Sequence, residues 1–175
     1  MIDKVENAIR ESFRKLKGCD GDLFECPIEE HAEYDSRKLH EVCINHKLAI
    51  YLGEYLLPEL AAENEIFYTD IEFNREGIDF KNLQYDGQEK RVRPDIIVHN
   101  RKSGDQKRNF LIVECKKDSA PADKKDTDVR KIEAFLTDER YGYQFGLQTV
   151  YSNQAITGKL FYIENHQIEF RDIVE

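Results

Sequence analysis

In the first seventeen residues, MIDKVENAIRESFRKLK, charged and apolar side chains alternate at helical spacing, and the two glycines of GCDGD (18–22) end the predicted amphipathic helix. An irregular segment is expected as far as Asp35. From Ser36 to about Leu57 the pattern predicts a long helix, with Asp35 or Ser36 as N-cap and Pro58 near its end. After a polar break the periodicity becomes that of strands: IFYTDIEF (66–73), with Phe67, Ile71 and Phe73 on one face, RPDIIVHN (93–100) and NFLIVECKK (109–117). The intervening NREGIDFKNLQYDGQEK (74–90) reads as turns and RKSGDQKR (101–108) as a loop. A helix is predicted from about Asp126 to Thr137. Strands follow at FGLQTVYS (145–152) and KLFYIEN (159–165), with a short one at IEFRDIV (168–174).

This order of elements predicts an α/β fold with a central mixed β-sheet flanked by helices. At 175 residues the chain fits a single domain, 1–175, with 1–35 as an N-terminal helical extension. The charged N-terminus lacks the continuous apolar stretch of a signal peptide, and no segment approaches the roughly twenty apolar residues of a membrane span. A soluble, cytoplasmic protein is expected. Cys19, Cys26, Cys43 and Cys115 show no CxxC spacing, and Cys43 and Cys115 sit in apolar patterns, so free buried thiols are expected for these two.

The net charge of −9 argues against a generally cationic surface, yet the charge is uneven. Between Lys90 and Lys117 nine basic residues face three acidic ones, a local +6 that leaves −15 for the rest of the chain. Such a window fits a phosphate-handling surface and equally a run of solvated turn residues.

The strand ending FLIVECKK carries the chemistry. If the strands at 93–100 and 109–117 pair as an antiparallel hairpin about the loop holding Gly104, Asp95 lies opposite Glu114. Side chains alternate along a strand, so Glu114 and Lys116 point one way and Cys115 the other. Two carboxylates on apolar strands repel, and a hard divalent cation such as Mg²⁺ or Mn²⁺ would stabilise them. A third acid comes from the long helix, where Glu41, Ile44, Leu48 and Leu52 form one stripe. Glu41 is therefore read as facing inward, with a position at the solvent edge of that stripe as the alternative.

RPD at 93–95, an 18-residue interval and ECK at 114–116 resemble the PD-(D/E)XK nuclease signature of the restriction-endonuclease-like superfamily. Pro94, Asp95, Glu114 and Lys116 match the motif directly, Glu41 matches the helix glutamate by order, and 36–152 covers the family's α-β-β-β-α-β core. Cys115 stands at X, where many members carry an aliphatic residue. The resemblance implies a metal-dependent nuclease acting on DNA. Asp95, Glu114 and the Cys115 backbone carbonyl would hold Mg²⁺ or Mn²⁺, with Glu41 acting directly or through water. Lys116 would orient or deprotonate the attacking water and offset phosphate charge. Arg75, Arg93, Lys117 and Gln144 are the expected substrate contacts. A homodimer or a targeting partner protein is compatible with the resemblance, and no membrane partner is expected.

Other patterns carry less. HEVCINH (40–46) lacks the i, i+4 histidine pair of zinc proteases, and His46 reads as a packed or capping residue. TGKL (157–160) lacks the remainder of a phosphate-binding loop. Tyr141 and Tyr143 read as packing aromatics, Asp128 and Lys131 as solvated helix residues, and Glu72 as support at a strand end. The alternatives to a nuclease are a catalytically silent nucleic-acid- or protein-binding module on the same fold and an unrelated α/β interaction protein.

Overall fold

Two apolar faces of one sheet organise the chain. The structure is a computed structural model and describes residues 1–23, 41–61, 65–76, 79–102, 104–152 and 154–175. In chain order its main elements are α1 (Ile2–Cys19), α2 (Glu41–Leu60), β1 (Tyr68–Ile71), β2 (Arg75–Glu76), β3 (Asp79–Phe80), β4 (Asn82–Tyr85), β5 (Gln88–Arg91), β6 (Ile96–His99), β7 (Asn109–Lys117), α3 (Ala122–Thr137), β8 (Phe145–Tyr151), β9 (Ile156–Glu164) and β10 (Gln167–Val174). Six strands form a mixed sheet in the order β1-β6-β7-β8-β9-β10. Only β7 and β8 are parallel, joined through α3; the other neighbours are antiparallel. The sheet with its helices is the expected α/β domain, and α2-β1-β6-β7-α3-β8 follows the expected α-β-β-β-α-β order.

β7 runs through the middle and is buried from Asn109 to Cys115. Leu111, Val113 and Cys115 join the core beneath α1 and α2, together with Ile9, Phe13, Leu48 and Leu52. Ile112 joins the core beneath α3, with Ile97, Ile132, Phe135 and Phe161. Each fully buried Leu, Ile or Phe contributes about 1.5–3 kcal/mol relative to exposure. The strand composition of β7 follows from this: covered on both faces, it reads as a continuous apolar run. Gly146 in β8 lets α3 settle on the sheet, because a Cβ there would stand 2.2 Å from Ile132 Cγ2.

α1 is also tied to the far edge of the sheet. Arg10 and Arg14 meet the Glu175 carboxylate at 3.2 and 2.9 Å, and Arg171 of β10 reaches Asp3 and Glu6 at 2.7 and 2.9 Å.

The structure corrects several boundaries. The strand expected over 66–73 is only four residues long, and Phe67, Ile71 and Phe73 do not share a buried face. Phe67 enters the α1/α2 core, Phe73 packs toward the α3 core and Ile71 is exposed, because Glu72 takes a positive φ of 49° and turns the chain. The segment read as turns holds two small ribbons, β2-β3 and β4-β5. Asp86 and Gly87, at φ 53° and 72°, make the tight β4-β5 turn, and Leu83 and Val92 anchor that ribbon under α3. α3 begins four residues before the expected start, and β10 is a full eight-residue edge strand. α2 continues past Pro58 to Leu60. The expected cap at Asp35 or Ser36, the first turn after it, and Cys26 lie outside the described residues. Among the described cysteines all are free, and Cys115 is buried as expected while Cys43 is exposed, since it sits beside rather than on the inward stripe of α2. His46 is exposed rather than packed. Tyr141 and Tyr143 pack against Phe135. Among the described residues no helix is long and apolar enough to cross a membrane.

Candidate functional site

The hairpin pairs as the symmetric reading requires. Ile96 of β6 stands opposite Val113 of β7, which brings Asp95, one residue earlier, level with Glu114. The Cys115 amide donates to Asp95 Oδ2 at 2.8 Å, so the first acid of the motif is pinned to the backbone of the second half. Asp95 is fixed from its other side too, its carbonyl accepting the Glu72 amide at 2.9 Å. Glu41, in the first described turn of α2, accepts the Lys117 amide on Oε2 at 3.2 Å. Three segments thus deliver Glu41, Asp95, Glu114 and Lys116 to the C-terminal end of β7.

Lys116 is the hub of this cluster. Its Nζ donates to the Cys115 carbonyl at 2.8 Å and lies 3.7 Å from Glu41 Oε1 and 4.0 Å from Asp95 Oδ2. A further carboxylate, Asp128 Oδ2, stands 3.2 Å away, an ionic contact without the alignment of a hydrogen bond. Asp128 comes from α3, as does Lys131, whose Nζ lies 2.6 Å from Glu114 Oε2 and 3.5 Å from Asp128 Oδ1. These two residues are a correction: expected in solvent, Asp128 is only 3% exposed and Lys131 is largely covered. The legible signal was the stripe of Asp128, Ile132 and Phe135, which places Asp128 on the buried face of α3. Gln148 stands beside Glu114 in the parallel β7-β8 register, its side-chain amide donating to the Lys125 carbonyl at 2.7 Å.

The electrostatics follow from burial. Four carboxyl groups (Glu41, Asp95, Glu114, Asp128) share the site with two ammonium groups, an excess of two acids. Glu114 is 1% exposed, and burial pushes its carboxyl up to about 8 against the pull of Lys131. Burial also raises Asp95, with the Cys115 hydrogen bond opposing. For Lys116 burial works to lower the value, but Asp128, Asp95 and Glu41 outweigh it and raise it. Lys116 is therefore a charged ammonium at neutral pH. Among the described residues, Glu114 Oε1 is buried without a hydrogen-bond partner. Beneath the site the Tyr151 hydroxyl lies 3.0 Å from Asn45 Oδ1 and 3.2 Å from Cys115 Sγ, closing off the strand's other face.

The expected substrate contacts divide. The Lys117 backbone is part of the cluster through Glu41. Arg93, two residues before Asp95 in the same loop, pairs with Glu72 at 3.3 Å, and the Arg75 guanidinium sits 4.5 Å over the Phe80 ring. Gln144 does not join the site: its amide bonds the Phe110 carbonyl, four residues before Glu114 and so about 13 Å up the strand. Part of the basic window is met by acids that lie outside it. Arg101 and His99 pair with Asp70, Lys90 with Asp86 at 3.4 Å and Arg108 with Glu65 at 3.8 Å. These contacts neutralise part of the window's charge.

Among the described residues no group of three His, Cys, Asp or Glu side chains stands at metal-ligating separation; the lysine ammonium groups stand among the carboxylates instead. No protein-family model, no curated protein and no solved structure matches the chain.

Proposed function

We propose that the protein is a metal-dependent nuclease of the PD-(D/E)XK kind, hydrolysing phosphodiester bonds of nucleic acid, with DNA as the expected substrate. The observation that carries this reading is the convergence of Glu41, Asp95, Glu114 and Lys116 from three separate segments on one strand end. A purely structural cluster would have no reason to gather two more acids than bases at a place where burial penalises each of them.

The residues fit a hard divalent cation by their donor chemistry. Asp95, Glu114, Glu41 and the Cys115 carbonyl are all oxygen donors, and among the described residues Glu114 Oε1 has no hydrogen-bond partner. Bound Mg²⁺ or Mn²⁺ would supply Lewis acidity and a more acidic bound water. The chain's own residues do the rest. Lys116, kept charged by three carboxylates, serves to neutralise phosphate and to orient water, and its raised pKa argues against the general-base role. The Cys115 amide fixes the Asp95 carboxylate, and the Lys117 amide fixes Glu41.

The lysine-occupied carboxylates also favour a second reading, a catalytically silent binding module stabilised by its internal ion pairs. Cleavage of single- and double-stranded DNA and RNA in Mg²⁺, Mn²⁺ and EDTA separates the two. Asp95→Asn keeps an acceptor for the Cys115 amide, and Lys116→Met keeps the apolar stem, so both variants are expected to fold. Metal-dependent cleavage that falls about a hundredfold or more in each variant is the expected result. Cleavage retained by both, or no cleavage by the wild type on any substrate, would overturn the nuclease reading.

A further inference from the structure

Resting on that reading, we propose that Lys131 is the site's resident counter-cation: its ammonium group holds Glu114 when no divalent ion is present and gives way when one arrives. α3 thereby regulates the affinity of the site for metal.

Four observations lead here. Lys131 Nζ lies 2.6 Å from Glu114 Oε2, on the same carboxyl group whose other oxygen is buried with no hydrogen-bond partner among the described residues. The Glu114 side chain is only 1% exposed, and among the described residues Lys131 is the nearer of the site's two ammonium groups to it. Lys116 is otherwise engaged, held by the Cys115 carbonyl, Asp128, Glu41 and Asp95. Finally, an alternative seat is already built, since Asp128 Oδ1 lies 3.5 Å from Lys131 Nζ, one helical turn back on the same helix. A four-carbon stem can turn toward it without moving the backbone.

The chemistry is ion exchange and breaks no covalent bond. A divalent ion meeting Glu114 faces the repulsion of Lys131, so binding requires the ammonium to move away from the carboxylate. Replacing Lys131 with a neutral residue removes that repulsion and leaves the acid cluster one positive charge poorer. Metal should then bind more tightly although a native contact has been lost. A merely structural ion pair predicts the reverse, a weakened fold and a looser site.

The test is a calorimetric titration of Mn²⁺, without nucleic acid, into wild type, Lys131→Gln and Lys131→Arg at low salt. The expected result is a dissociation constant on the order of tenfold lower for Lys131→Gln, with Lys131→Arg at or above the wild-type value. Equal or weaker binding by Lys131→Gln, with wild type binding normally, overturns the proposal and leaves the metal site standing. Absence of Mn²⁺ binding by all three proteins overturns the metal reading and the proposal with it. Amine acylation mapped by mass spectrometry gives a second readout on the unaltered chain, should Lys131→Gln fail to fold. Lys131 acylation should rise several-fold when Mn²⁺ is added, and an unchanged rate overturns the exchange.

Discussion

Replacing Glu114 with glutamine should make the metal-free protein more stable, relative to wild type, the higher the pH. Burial lifts the Glu114 carboxyl from an ordinary value of 4.5 to about 8, so between those limits the folded state keeps a proton that the unfolded state has released. The stabilisation is fully present below the unfolded value and is lost as pH rises through the folded one. Each pH unit in that window costs about 1.4 kcal/mol, and from pH 5 to pH 8 the loss reaches about 4 kcal/mol. Glutamine carries no such proton and keeps nearly the same shape. Burial raises Asp95 too, but that contribution is present in both proteins and cancels in the difference. Urea unfolding in EDTA, followed by far-UV circular dichroism because the chain has no tryptophan, measures both proteins at pH 5, 6, 7 and 8. The variant's relative stability should climb by about 2–4 kcal/mol over this range. A difference flat to within about 1 kcal/mol would refute the burial argument, and a decline would show that the Lys131 ion pair dominates.

Three other outcomes are expected. Gly146→Ala should cost about 1–3 kcal/mol, since its Cβ would stand 2.2 Å from Ile132 Cγ2, and Ile132→Ala on top should be less harmful than in the parent. A double-mutant cycle by urea unfolding checks the coupling, and additive losses would contradict the close approach. Cys115 should resist a thiol reagent at pH 7.5 while Cys19 and Cys43 react, because burial raises the thiol well above its ordinary value; peptide mapping after labelling shows the order. Asp70 is held below its ordinary value because Arg101 and His99 outweigh its burial, so its stabilisation is present above pH 4 and fades as pH falls further. Asp70→Asn should therefore destabilise the protein at pH 6, and the gap should narrow toward pH 3 in the same unfolding assay.

The part of the site that rests on local periodicity was legible. Alternation placed Glu114 and Lys116 on one face of β7, a symmetric hairpin placed Asp95 level with Glu114, and the stripe of Ile44, Leu48 and Leu52 left Glu41 partly exposed at its edge, beside the same strand end. What escaped depends on tertiary placement. Asp128 and Lys131 form an i, i+3 acid–base pair of the kind that usually decorates a solvated helix, and only the docking of α3 over β7 puts them beneath the surface. Gln144 was expected near the site because it stands where the strand after α3 begins. Parallel pairing with β7 sends Gln148 toward the site and leaves Gln144 at the opposite end. The ribbons over 75–91 escaped because two- to four-residue strands carry too few positions to show a period, although the Asp86-Gly87 pair was a hairpin signal in plain view. The +6 window left two readings open, because summed charge along a chain says nothing of the acids that residues outside the window bring to meet it.

The ion pairs that tie α1 to β10 join residues about 165 positions apart, Arg10 to Glu175 and Arg171 to Glu6. A ribosome adding roughly 5–20 residues per second needs on the order of ten to thirty seconds to cover that interval. During that time the helix made first can close one side of its apolar stripe on α2 but has no β9-β10 edge to rest on. The nascent chain therefore carries Phe13 and its neighbours half-covered until β9 and β10 have been made. Losing Glu175 or Arg171 should consequently show itself more in the yield of soluble protein at high expression rates than in the equilibrium stability of the finished fold.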